Sequence, residues 1–227
     1  MLEIKPKKFK VHSLTGRITS KLMLKSWKAV KRNQGAAGVD RVSVKTYNEN
    51  YGRNLKDLMD RLKTRGAYKS PPLKRVYIPK GNTGKTRPLG IPTVDTRCAQ
   101  EVVRQLIAPI FESQFHDSSF GFRPGRNCHQ AVESVLKRAK NGYKVILDVD
   151  IKAFFDNIPH HVIMTMLRAE IADGNILEII EAFLESGVVE NGTLTPTYRG
   201  TPQGGVISPL LGNIVLNHLD WKLDQQG

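Results

Sequence analysis

Three aspartates raise the first chemical question. In YKVILDVDIKAFFDNIPH, residues 143–160, Asp148 and Asp150 are two apart in a β-branched, apolar run, and Asp156 follows just beyond. Such a run predicts a strand, in which alternate side chains share a face, so Asp148 and Asp150 would point the same way. Carboxylates ending an apolar strand are costly unless solvated, paired or bound to a cation, and hard cations such as Mg²⁺ take oxygen ligands of this kind. Pairing with neighbouring Lys or Arg, or capping the next helix, would satisfy them as well.

A second set is cationic. KRVYIPKGNTGKTRPLGIPT, residues 74–93, reads as two short strands around the turn GNTG, and it carries Lys80, Lys85 and Arg87. Phosphoryl transfer depends on cations set opposite developing negative charge, and Arg presents a planar fork to phosphate oxygens. Solvent or an RNA backbone would accommodate the same charges. In TPQGGVISP, residues 201–209, Gly204 and Gly205 permit close backbone approach, although PQGG by itself is a turn signal. In SFGFRPGRN, residues 119–127, Phe120 and Phe122 suit either a core insertion or a template contact, with Arg123 and Arg126 as backbone-phosphate contacts.

These groups need a scaffold, and the periodicity supplies one. Helical spacing covers 19–33 and 54–65, the second with Leu55, Leu58, Met59 and Leu62 in one stripe. QGAAGVDRVS between them is a loop. Two further amphipathic helices carry Val102 to Phe111 and Cys128 to Ala139, which predicts Cys128 as a core residue. Helices are also expected from about Pro159, over 175–186 and over 208–223. Mixed helices and strands predict an α+β protein.

Length and charge bound the function. A chain of 227 residues with 40% hydrophobic content can bury a core. Two cysteines thirty residues apart propose neither a disulfide framework nor a zinc knuckle, and the scattered histidines propose no zinc site. The N-terminus lacks a signal-peptide apolar core, and no apolar run reaches the length of a membrane span, so a soluble, cytoplasmic protein without membrane contact is expected. The net charge of +14 is unevenly spread. Residues 1–88 hold 23 Lys and Arg against 5 Asp and Glu, whereas residues 89–227 hold 12 against 16. A basic stretch of this kind favours polyphosphate through counterion release. Structured RNA is therefore expected along residues 1–88, with Lys25, Lys28, Lys31, Arg32, Lys63 and Arg65 in contact.

Four ordered stretches resemble one family. DVDIKAFFDNIPH resembles the strand motif that supplies the first catalytic carboxylate of group II intron reverse transcriptases, and RGTPQGGVISPLLGNIVLNHLD resembles their later PQG motif. PKGNTGKTRPLGIPTVDTRCAQEVV and FHDSSFGFRPGRNCHQAV resemble the intervening fingers and palm motifs in the same order. NQGAAGVDRVS and GAYKSPPLKRVYIPK look like the N-terminal extension of that lineage, which weakens a retron or diversity-generating relative.

The resemblance implies a right-hand polymerase, fingers and palm of reverse transcriptase type, with a helical N-terminal extension. It divides the chain into a basic extension and start of fingers, 1–88, and a fingers and palm portion, 89–227. It makes Asp150 the catalytic carboxylate and a Mg²⁺ ligand, with the Ile151 carbonyl as a second oxygen donor. Lys80 and Arg87 would grip a deoxynucleoside triphosphate, and Gln203 and Gly204 would lie near nucleotide and template. Phe155 would sit under the incoming sugar as a steric gate against a 2′-hydroxyl, its alternative being packing beside Phe154. Implied partners are group II intron RNA and an RNA template with DNA primer; a homodimer stays open. The family's YADD-like hairpin does not occur before Gly227, so the chain alone is expected to bind RNA without extending a primer. The rival function is a non-catalytic RNA-binding splicing module.

Overall fold

The structure is a computed structural model that describes residues 9–79, 81, 84–201 and 204–226. Its organiser is helix α4, Val94–Glu112, capped by Thr93, whose hydroxyl accepts from the Thr96 amide at 3.1 Å. Val94, Cys98, Ala99, Val102, Val103, Ile107 and Phe111 recur at helical spacing and are buried. Helix α1, Ser20–Asn33, capped by Thr19, lays Met23, Trp27 and Val30 against α4. Residues 34–43 form the expected loop, after which a short helix α2, Val44–Glu49, capped by Ser43, leads to α3, Tyr51–Lys63, which buries Leu55, Leu58 and Leu62. The Val42 amide donates to Asp40 Oδ1 at 3.1 Å, an Asx-type bond that turns the chain toward α2.

The basic hairpin forms as expected. Strand β1, Leu73–Pro79, pairs antiparallel with β2, Thr86–Ile91. β1 also pairs in parallel with β3, Val188–Glu190, and β3 antiparallel with β4, Thr193–Thr195, giving the order β2-β1-β3-β4. Helices α7, His160–Glu170, and α8, Gly174–Leu184, complete the core with α9, Ser208–Asp224. Asp173 joins the two ends of this body. Its carboxylate accepts from the Thr15 amide at 2.7 Å, the Thr15 hydroxyl at 2.8 Å and the Ile176 amide at 3.2 Å. Burial pushes this carboxyl up, but the Thr15 and α8 donors outweigh it and hold it below the usual aspartate range.

One core of buried side chains runs from Leu14 to Ile214. Position 88 lies inside β2, so the change of charge there does not coincide with a gap in the core. Among the described residues no helix is long and apolar enough to cross a membrane.

Two expectations need correction. Residues 143–150 form no strand: Val145, Ile146, Leu147 and Val149 are 71 to 90% exposed, and no described strand lies alongside to complete a ladder. A strand needs such a partner for its N–H and C=O groups, so composition alone does not make one. Helix α5, Cys128–Lys140, does form, with a capping box between Asn127 and Gln130, but none of its residues is buried and Cys128 is exposed. Its apolar stripe, Val132, Val135 and Leu136, faces outward because among the described elements none covers it.

Candidate nucleotide and template site

Three segments distant in sequence meet at one place. The Thr201 amide donates to the Phe155 carbonyl at 2.7 Å, and the Gly200 amide donates to the Ile158 carbonyl at 2.7 Å. A Cβ on Gly200, whose φ is +85°, would come within 2.7 Å of the Asp156 carbonyl oxygen, so glycine is required for this contact. Four residues on, Gly204 has φ +107°, and a Cβ there would stand 2.5 Å from the Gly90 carbonyl oxygen in β2. Thus the aromatic turn α6, Phe154–Asn157, and the glycine loop are tied together, and that loop presses on the strand carrying Arg87. The Val206 amide, donating to Gln100 Oε1 at 2.8 Å, anchors the far side of the loop to α4.

The phenylalanines divide their duties. Phe154 packs on the core, and Phe155, half-buried, meets it edge to face at 5.4 Å between ring centroids. Both rings close on Gly212 of α9, where a Cβ would approach Phe155 Cε1 to 2.9 Å. Ala153, in the left-handed region at φ +49°, makes the turn that separates exposed Asp150 and Ile151 from this aromatic pair. Arg87 is exposed on β2. Lys80 and Gln203 lie outside the described residues.

A cavity of about 800 Å³ adjoins the loop. Arg32 of α1, Arg97 and Arg104 of α4, Phe122 and Gly204 line it. Phe122 is 77% exposed and held at φ +56°, which removes the core-insertion reading for it, whereas Phe120 is half-buried under the Arg126 guanidinium at 5.5 Å. Arg97 is the residue that sequence reasoning missed. It is buried, donates to the Gln34 and Ala36 carbonyls at 2.9 Å each, and keeps Nε unpartnered among the described groups. Its position on the apolar stripe of α4, one turn after Val94, was the available signal.

The other cations are sorted by burial. Arg123 does not reach a phosphate: it is buried, pairs with Glu112 at 2.9 Å, and staples the loop by donating to the His116 and Ser119 carbonyls. Arg126 is partly exposed and pairs with Asp117 at 2.9 Å. Arg65 is exposed yet held by Glu178, its Nε at 2.8 Å from the carboxylate. Lys25, Lys28, Lys31, Arg32 and Lys63 stand exposed along α1 and at the end of α3.

Mg²⁺ fits only in part. Asp150 and the Ile151 carbonyl are oxygen donors of the kind this ion takes, but among the described residues no three Asp, Glu, His or Cys side chains gather closely enough to hold a metal.

A basic hairpin, a glycine loop and an aromatic turn thus meet beside a cavity lined by Arg32, Arg97 and Arg104 and by Glu101 and Glu112, Glu101 holding Arg104 at 2.7 Å. The chain belongs to the reverse transcriptase (RNA-dependent DNA polymerase) family, whose profile matches residues 78–226; members of that family generally use divalent metal ions. It is 43% identical over 166 residues to the group II intron-encoded protein LtrA of Lactococcus lactis subsp. cremoris, covering 73% of this chain and 27% of LtrA. Protein YkfC of Escherichia coli K12 is 36% identical over 193 residues, covering 83% of this chain and 50% of YkfC. Nuclear intron maturase 1 of Arabidopsis thaliana is 31% identical over 94 residues, covering 41% of this chain and 13% of that protein. The chain thus spans from about a quarter to half the length of the first two. A partial Cas6-RT-Cas1–Cas2 complex shares the fold, with a TM-score of 0.62 at 21% identity, covering all of this chain and 38% of that one.

Proposed function

We propose that the chain supplies the fingers and part of the palm of an RNA-directed DNA polymerase of the group II intron type, a protein that also binds its intron RNA. The observation that carries this reading is that the glycine loop joins the turn after Asp150, through the Thr201–Phe155 bond, to β2 of the basic hairpin, through Gly204 packed on Gly90.

Each residue then has a task. Arg87 and Lys80 neutralise the triphosphate of the incoming deoxynucleotide, and Phe155 closes the floor beneath its sugar so that a 2′-hydroxyl collides with the ring. Gly204 and Gln203 flank the templating base, and the cavity lined by Arg32, Arg97, Arg104 and Phe122 takes the template strand. Asp150 and the Ile151 carbonyl contribute to Mg²⁺ binding, an ion that would offset charge on the transferred phosphate. Lys25, Lys28, Lys31, Arg32 and Lys63 face RNA.

The test is primer extension on an RNA template by the protein continued through the length of its relatives. Gly204→Ala should raise the KM for deoxynucleotides, because its methyl group cannot share space with the Gly90 carbonyl. An unchanged KM would remove the glycine loop from the nucleotide site.

A further inference from the structure

A second cleft lies on the other face of the hairpin. Strand register puts Arg75, Tyr77 and Pro88 on one side of the β1–β2 pair and Arg87 and Leu89 on the opposite side. On the first side the parallel register sets Glu190 of β3 on the face of Arg75, and Asp156, Arg199 and Thr201 close a cavity of about 300 Å³. This cleft opens on the face of the hairpin away from Arg87 and shares Asp156, Gly200 and Thr201 with the nucleotide site described above.

The chemistry of its wall is that of a nucleotide. The Tyr77 ring is 54% exposed and held in place by its own hydroxyl, which donates to Glu190 at 2.8 Å. That leaves a ring face for a base to stack on and fixes the acidic group nearest to it. Arg75 and Arg199 supply cations for a phosphate, and the Asp156 carboxylate is an acceptor suited to a ribose hydroxyl.

We infer that this cleft binds one nucleotide of single-stranded RNA, its base on Tyr77, its phosphate between Arg75 and Arg199, and its ribose toward Asp156. The site stands apart from the basic face of α1. Because Thr201 is tied to Phe155 and precedes Gln203 by two residues, an occupant would also brace the loop that serves the opposite face.

The experiment titrates the 227-residue chain with adenosine 5′-monophosphate, its 2′-deoxy counterpart and a six-nucleotide adenosine RNA, following amide and Tyr77 ring signals by NMR. The RNA should bind tightest and perturb Tyr77 and residues 199–201. Arg75→Ala with Arg199→Ala should weaken it at least tenfold and lower its salt slope by about 1, the value for one lost phosphate contact. Charge reversal at Lys25 and Lys28 should leave the monophosphate untouched, which separates failure here from failure of the α1 assignment. Monophosphate binding as tight as the hexamer's would overturn the RNA assignment. Ring and 199–201 signals that stay fixed, or equal affinities for the arginine variants, would overturn the site.

Discussion

The proposal makes Phe155 the side chain that chooses between ribo- and deoxynucleotide. It touches Phe154 and Gly212, yet it remains half-buried. In the protein continued through its relatives' length, Phe155→Ala should admit ribonucleotides at least tenfold more readily, measured as the ratio of kcat/KM for ribo- over deoxynucleotides. Stability should fall by less than the roughly 3 to 5 kcal/mol of a fully buried Phe truncation, since only part of the ring leaves a packed site. An unchanged ratio with a full-sized stability loss would make Phe155 a packing residue. The motif that named Phe155 was legible in the sequence, whereas the fate of Arg123 was not. Spacing cannot tell an arginine that meets phosphate from one that turns inward to hold two loop carbonyls and Glu112 of α4, because both require the same residue type.

At the scale of elements, periodicity located α1, α3, α4, α8 and α9, because each buries an apolar face and so satisfies the pattern that the sequence advertises, and the turn residues GNTG located the β1–β2 hairpin. The same reasoning misjudged 143–150 and the face of α5. An apolar pattern records what a segment can bury, not whether a partner lies beside it. The tether from Asp173 to Thr15 was equally invisible, since the two are 158 residues apart and neither belongs to a motif. Its carboxyl sits below the ordinary aspartate range, so its contribution is fully present above the unfolded-state pKa of about 3.9 and is lost as pH falls through the lower folded value. Urea unfolding should therefore find Asp173→Asn less stable than the wild type at pH 6, with the gap closing below about pH 4. A gap that stays constant down to pH 3 would show that the carboxylate charge adds nothing to the tether.

For the whole molecule, charge asymmetry is the property that sequence revealed most directly, with a net of +18 over residues 1–88 and −4 over the remainder. The structure refines which of those charges can act. Arg65 is occupied by Glu178, so a fair probe reverses Lys25, Lys28 and Lys31 and compares them with charge-matched reversals of Lys137, Lys140 and Lys144. Equal net charge with unequal position isolates location from composition. RNA affinity should fall far more for the α1 set, and each lost phosphate contact should reduce the salt slope by about 1. Equal losses would mean that the protein attracts RNA by overall charge and has no RNA face.

The central claim is the proposal that Asp150, exposed ahead of the turn at Ala153, takes part in polymerisation. Its most direct test is single-turnover DNA synthesis on a primed RNA template by the protein continued through its relatives' length, wild type against Asp150→Ala. Because even an outer-shell partner of a metal can cost 10- to 100-fold, loss of a ligand itself should slow nucleotide addition by more than about 100-fold while primer–template affinity stays within twofold. Addition at the wild-type rate by Asp150→Ala would contradict the account.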